Sequence, residues 1–226
     1  VNPPDSLTVA EIRDLPAYRQ AFEQKVAAID WDTRFITLWD GNASWQGLSW
    51  DGLRRQHLFS MWPYVRRRDY DGLEAAYRAD CRKYAGDAAA EAIDVLPFHR
   101  YQQELAPGLS QAIEAVEGRP EATSIYLRIR PDLRWDGEYH VSGEPVPEPF
   151  EPHEDYGFSR ALCFGAPSFP EAAEVRDRFP ERKPLDPGSV LHYLLARTVA
   201  AFGRCVARSE PPVPVFFSCG YAVFRM

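Results

Sequence analysis

The chain has 226 residues, of which 45% are hydrophobic, so it can bury one sizeable core or two small ones. Its net charge of −7 argues against a general nucleic-acid binder, because such proteins usually carry a basic excess. No apolar run approaches the roughly 18 residues of a membrane helix, and the first residues lack the pattern of a signal peptide. We therefore expect a cytoplasmic globular protein without membrane contact.

The front half of the chain is predicted to be mostly helical. Apolar residues recur at helical spacing in 7–29 and again in several segments of 50–95. A short strand followed by a turn is expected at 33–45, where β-branched and aromatic residues precede Asp-Gly-Asn. Segment 98–117 is also predicted to be helical, with an interruption near Pro107, because proline cannot donate a hydrogen bond inside a helix.

Residues 124–143, SIYLRIRPDLRWDGEYHVSG, predict a β-hairpin with one apolar and one polar face. Ile125, Leu127 and Ile129 alternate with polar residues, and Tyr139 and Val141 continue the apolar face on the return strand. Asp-Gly at 136–137 supplies residues compatible with a turn. The polar face, which we expect to be solvated, holds Tyr126, Arg128, Arg130, Glu138 and His140.

The remaining segments predict a small sheet and one long helix. The proline-rich stretch 143–157 is expected to be an extended connection, 159–167 a third strand, and 187–208 the clearest helix, with Asp186 as its N-cap. The apolar C-terminal segment resembles a central strand. The predicted fold class is therefore α+β, with a mostly helical region at 1–118 and a mainly antiparallel sheet against a long helix at 119–226. The two regions could share one core.

A second group of candidate residues lies in the proline-rich stretch. His153, Glu154 and Asp155 are adjacent, and His140 precedes them, so imidazole and carboxylates could bind a divalent metal or act as acid and base. Their spacing differs from strong metal motifs, and a solvated acidic loop explains the same residues. No GxSxG, GxGxxG or P-loop pattern is present, so no catalytic residue is assigned and no cofactor is expected.

Four cysteines are far apart in the sequence, and none forms a CxxC pair. This pattern favours small buried thiols in a reducing compartment. A disulfide between Cys205 and Cys219 is the alternative that remains open.

The polar face of the hairpin is either an ordinary solvated face with cross-strand ion pairs or a recognition surface. Tyrosine and arginine are enriched at the energetic centres of protein interfaces. On the recognition hypothesis, the hairpin face would contact a partner together with the proline-rich stretch, so the candidate contacts are Tyr126, Arg128, Arg130, Glu138, His140, Glu151, Glu154 and Asp155.

The order of predicted elements in residues 96–226 resembles the YezG-type immunity proteins of bacterial polymorphic toxin systems. In both, a helix leads into a hairpin, a link follows, and a long helix (here GSVLHYLLARTVAAFGRCVA) precedes terminal strands. The resemblance implies tight binding of a cognate toxin, often a nuclease, without catalytic residues. The acidic charge agrees with a basic protein partner. Two other hypotheses are a metal-assisted hydrolase using the histidine and carboxylate cluster, and a structural or oligomeric scaffold.

Overall fold

The computed structural model describes residues 35–39, 44–49, 58–143, 162–180, 188–220 and 222–226. The predicted helix at 7–29 and most of the proline-rich connection lie outside these residues. Six described helices are α1 (Trp62–Arg67), α2 (Tyr70–Tyr84), α3 (Asp87–Asp94), α4 (Phe98–Glu117), α5 (Pro170–Arg178) and α6 (Ser189–Ser209). Seven described strands are β1 (Phe35–Trp39), β2 (Ser44–Ser49), β3 (Ser124–Arg130), β4 (Asp136–Ser142), β5 (Leu162–Ala166), β6 (Val215–Ser218) and β7 (Val223–Arg225).

The α+β prediction is confirmed: α1 to α4 precede the main sheet, and the long helix α6 follows most of it. The main sheet has five strands in the order β5-β4-β3-β6-β7. Its neighbouring strands are antiparallel except β3 and β6, which pair in parallel with Ile125 opposite Val215. The sheet is thus mainly antiparallel, as expected, with the C-terminal segment supplying a central strand.

A two-stranded sheet in the front half was only partly predicted. Strand β1 lies within the strand and turn expected at 33–45, and it pairs with β2 in an antiparallel hairpin. Strand β2 was missed, because residues 44–49 lack the strict alternation by which a half-buried strand is recognised.

Helix α4 is continuous, so the interruption expected near Pro107 is wrong. Pro107 lies inside the helix and is exposed. The carbonyl that would have accepted a hydrogen bond from residue 107 belongs to Gln103, which is also exposed. The opposite face of the helix buries Leu105 and Leu109 in the core. Tertiary packing of that face therefore outweighs the local cost of the proline.

The hairpin turn lies earlier than Asp136-Gly137, because both residues belong to β4. The turn occupies 131–135, and both Arg134 and Trp135 adopt a left-handed backbone, with φ of 57° and 61°. Such a conformation is costly for a bulky residue and persists only where the surroundings hold it. Here the buried indole of Trp135 donates to the hydroxyl of Thr198 in α6, at 3.1 Å.

One cluster of buried apolar side chains joins the helices to one face of the main sheet. Phe202 of α6 contacts the rings of Tyr139 and Phe217, on β4 and β6. By length and composition alone, helix α6 could also cross a membrane, although the sequence shows no apolar run of that length. In this fold 83% of that apolar window is buried, so α6 serves as the central helix of the core.

The side chain of Asp94 in α3 links this helix to α2 and α6. The carboxylate of Asp94 accepts hydrogen bonds from Arg78, at 2.6 and 2.8 Å, and from the hydroxyl of Tyr193, at 2.7 Å. Burial tends to raise the pKa of Asp94, but the bonds from Arg78 and Tyr193 outweigh it and hold the pKa below its ordinary value of 3.8. Folding therefore favours the charged form of Asp94.

Because this pKa is lowered in the folded state, Asp94 stabilises the protein at neutral pH, and the contribution is lost as the pH falls below 3.8. We expect Asp94→Asn to lower the free energy of unfolding at pH 7 by about 1 kcal/mol, with a smaller difference in acid. The measurement is urea unfolding at pH 7 and pH 3. Asp87→Asn is the control, since Asp87 pairs with Arg82 on the exposed surface. Equal losses in the two variants at pH 7 would contradict the prediction.

Candidate functional site

The main sheet has an inner face that packs on the helices and an outer face that carries the predicted polar residues. Strand register places Tyr126 beside His140 and Arg128 beside Glu138, all on the outer face. The predicted assignment of the two hairpin faces is confirmed. The outer face also receives residues from the other three strands of the sheet, namely Cys163, Gly165, Phe216, Ser218, Val223 and Arg225.

The expectation of a solvated outer face is wrong at two predicted residues. Tyr126 is 6% exposed and His140 is 1% exposed. Tyr126 stacks on Phe216 of the neighbouring strand at 4.9 Å between ring centroids, and Val223 completes a small second apolar cluster. Burial removes Tyr126 and His140 from the surface that a partner could reach without rearrangement.

Three charged residues at the turn end of the outer face remain half-exposed, namely Arg128, Arg130 and Glu138. The Nη2 atom of Arg130 lies 3.4 Å from Oε1 of Glu138. The other oxygen of this carboxylate, Oε2, lies 3.4 Å from Nε2 of His140. Glu138 therefore bridges a half-exposed guanidinium and a buried imidazole.

Cys163 of β5 joins this group from the adjacent strand. It stands directly opposite His140 in the antiparallel pair formed by β4 and β5. One side-chain donor atom from each of Glu138, His140 and Cys163 lies within 4.8 Å of the other two. We call these three residues the Glu-His-Cys cluster. Within this cluster His140 is buried, Glu138 is half-buried and Cys163 is exposed to solvent.

A surface hollow of about 510 Å³ opens beside the Glu-His-Cys cluster. Glu138 and Cys163 line it together with Arg130 and Asp136, and Ser168 borders it beyond β5. Two carboxylates and one guanidinium thus converge on a solvent-accessible space. The hollow can admit a small polar molecule or the side chain of a partner.

Four predicted site residues lie outside the described residues, namely Glu151, His153, Glu154 and Asp155. Both the loop part of the predicted partner surface and most of the predicted metal cluster therefore stay predictions. Of the four predicted metal ligands, His140 lies within the described residues. Its neighbours there are Glu138 and Cys163.

Sequence reasoning missed Cys163 as a site residue. None of the four cysteines, all within the described residues, forms a disulfide, so the alternative disulfide between Cys205 and Cys219 is wrong. Cys163 is exposed, whereas Cys81, Cys205 and Cys219 are buried, as expected for small core thiols. Burial also raises the pKa of Cys205 to about 11, which keeps its thiol protonated and unreactive. The signal in the sequence was weak: Cys163 stands between Leu162 and Phe164 in a strand whose partner was unknown.

Comparisons of the chain with protein-family models, with curated proteins and with solved structures find no match. The resemblance to YezG-type immunity proteins therefore stays a prediction.

Proposed function

We propose that the chain acts by binding another protein, as an immunity protein that neutralises a basic bacterial toxin such as a nuclease. The observation that carries this proposal is the exposed tip of the β3–β4 hairpin. There Leu133 is 47% exposed between the exposed charged residues Asp132 and Arg134. Among the described residues, Leu133 and Val95 are the large hydrophobic side chains that face solvent.

The hairpin tip, residues 132–134, is anchored to the core by the residues on either side of it. Trp135 anchors one side of the turn in the core through its bond to Thr198. On the other side, Pro131 is buried, and its carbonyl accepts a hydrogen bond from Arg176 of α5. A rigid surface loses little conformational entropy on association, so more of the contact energy contributes to affinity.

The chemistry of this region suits a protein interface. An apolar side chain surrounded by charged groups reproduces the arrangement of a small hydrophobic centre with a polar rim. Arg128 and Arg130 extend the rim along the outer face, and arginine is enriched among residues that dominate binding energy. Charges of both signs at the tip supply specificity for a partner with the complementary pattern.

The net charge of −7 supports a basic partner rather than a nucleic acid. Opposite net charges raise the rate of diffusional encounter and increase its salt dependence. Nuclease toxins carry basic surfaces for their substrates, so an acidic inhibitor would approach them quickly. We propose a direct protein contact and no membrane contact.

The experiment is a pull-down from native cell lysate with the wild-type chain and with the double variant Asp132→Lys, Leu133→Lys, which removes the apolar side chain and makes the tip repel a basic partner. We expect the wild-type chain to recover one basic protein in stoichiometric amount, and the double variant to lose it. Val95→Asp is the matched control, because it charges the other exposed apolar side chain, which lies between α3 and α4.

The recovered protein is then purified and tested for nuclease activity and for toxicity to cells. We expect the wild-type chain and Val95→Asp to suppress both, and the hairpin double variant to fail. Absence of a stoichiometric partner, or equal recovery by all three chains, would overturn the proposal. Circular dichroism of each variant establishes that the fold is retained.

A further inference from the structure

We infer that the Glu-His-Cys cluster is a binding site for one zinc ion, with three protein ligands and a fourth position open to the adjacent hollow. This inference goes beyond the proposed protein binding and does not depend on it. The ligands would be a carboxylate oxygen of Glu138, an imidazole nitrogen of His140 and the thiolate of Cys163.

The distances agree with a shared centre. Tetrahedral Zn²⁺ with bonds of about 2.0–2.3 Å places neighbouring ligand atoms roughly 3.3–3.6 Å apart. The Glu138 oxygen and the His140 nitrogen are already 3.4 Å apart. All three donor atoms lie within 4.8 Å of one another, so a small movement of the exposed Cys163 side chain would bring the set to ligand spacing.

The same three residue types could instead form a relay, with His140 between a cysteine nucleophile and an orienting carboxylate. In a relay the two ring nitrogens bond in opposite directions, which separates the sulfur from the carboxylate by roughly 6 Å or more. Here those atoms lie within 4.8 Å of each other. Convergence on one point favours a metal ion over a relay.

The donor types select the metal. A thiolate is a poor ligand for Mg²⁺ and Ca²⁺, which prefer oxygen atoms, whereas thiolate, imidazole and carboxylate together suit Zn²⁺. Arg130 donates to Oε1 of Glu138, while His140 lies near Oε2, and such outer contacts hold ligating carboxylates in place.

The strands make the site rigid and leave one side open. Glu138 and His140 are two residues apart on β4, and Cys163 is the cross-strand neighbour of His140 on β5, so ordinary sheet geometry sets their spacing. The exposed thiol and the hollow of about 510 Å³ leave the fourth position for water or a small oxygen-donor ligand. Arg130 would favour a negatively charged one.

The test uses the purified full chain, stripped of metal and titrated with ZnCl₂ against a chromophoric chelator. We expect one equivalent of Zn²⁺ to bind the wild-type chain. Cys163→Ala and Glu138→Gln should each weaken binding by more than about tenfold. His99→Ala is the control, since His99 is exposed on α4 and should not change binding.

Two further readouts report the sulfur directly. Co²⁺ in place of Zn²⁺ should give a sulfur-to-cobalt charge-transfer band that is absent in Cys163→Ala. In the metal-free folded chain a thiol reagent should modify one cysteine quickly, and Zn²⁺ should suppress that reaction. Unchanged zinc affinity in Cys163→Ala, or no binding by the wild-type chain, would overturn the inference whatever the pull-down shows.

Discussion

Replacement of Trp135 by alanine is expected to lower the free energy of unfolding by about 3–5 kcal/mol. The indole is fully buried and bridges the hairpin turn to α6 through Thr198. Its removal leaves a cavity under a turn whose left-handed backbone depends on the surrounding contacts. The measurement is urea unfolding followed by circular dichroism, because the chain contains six tryptophans and fluorescence would not report one of them.

Two control variants show how much of the effect comes from the lost hydrogen bond and how much from the burial of the indole. Trp135→Phe keeps most of the ring and loses the bond to Thr198, so its cost should be nearer 1 kcal/mol. Trp62→Ala removes a half-buried indole from the short helix α1 and should cost less than Trp135→Ala. If the free energy of unfolding of Trp135→Ala lies within about 1 kcal/mol of the wild-type value, the buried indole does not anchor the turn.

The second large effect is expected at Gly108 in the middle of α4. An added Cβ would lie 2.4 Å from Cε2 of Tyr139, well inside van der Waals contact. Tyr139 is fully buried and donates a hydrogen bond to the Leu105 carbonyl at 2.8 Å, so its ring cannot move aside. Alanine gains up to about 1 kcal/mol in helix propensity, whereas overpacking costs about 1–3 kcal/mol or more.

We therefore expect Gly108→Ala to lower the free energy of unfolding by about 1–2 kcal/mol, measured by urea unfolding. The matched control is Gly118→Ala at the C-terminal end of the same helix. There the backbone is not left-handed, with φ of −83°, and the nearest atom to an added Cβ is 3.8 Å away. Gly118→Ala should leave stability unchanged or raise it by up to about 1 kcal/mol. A Gly108→Ala variant as stable as Gly118→Ala would contradict the close contact with Tyr139.

Local patterns predicted the parts of the fold that depend on neighbouring residues. Alternation in 124–143 assigned both faces of the hairpin, because side chains in a strand alternate with period two. The broad apolar stripe near the C-terminus predicted α6 to within two residues. The same reasoning failed at Pro107, where burial of Leu105 and Leu109 in the core decides the outcome.

Long-range features could not be predicted in the same way. Sequence alternation predicts that a segment is a strand, but it does not specify which strand lies beside it. The placement of Cys163 opposite His140 and of β6 beside β3 follows from pairing between distant segments. Burial of Tyr126 and His140 also depends on what packs on the outer face, which a polar pattern on one hairpin does not reveal. The candidate zinc site was hidden because its ligands come from two separate strands.

The parallel pairing of β3 with β6 has a consequence for synthesis of the protein. Strand β3 gains β4 as a neighbour soon after it leaves the ribosome, but its other neighbour follows β5, α5 and α6 in the chain. Until β6 has been made, one edge of β3 has no native partner, and unpaired strand edges are prone to association with other chains. Pairing of β3 with β6 is therefore a late, non-local step of folding. Until β6 has been synthesised, the nascent chain stays prone to association through the open edge of β3.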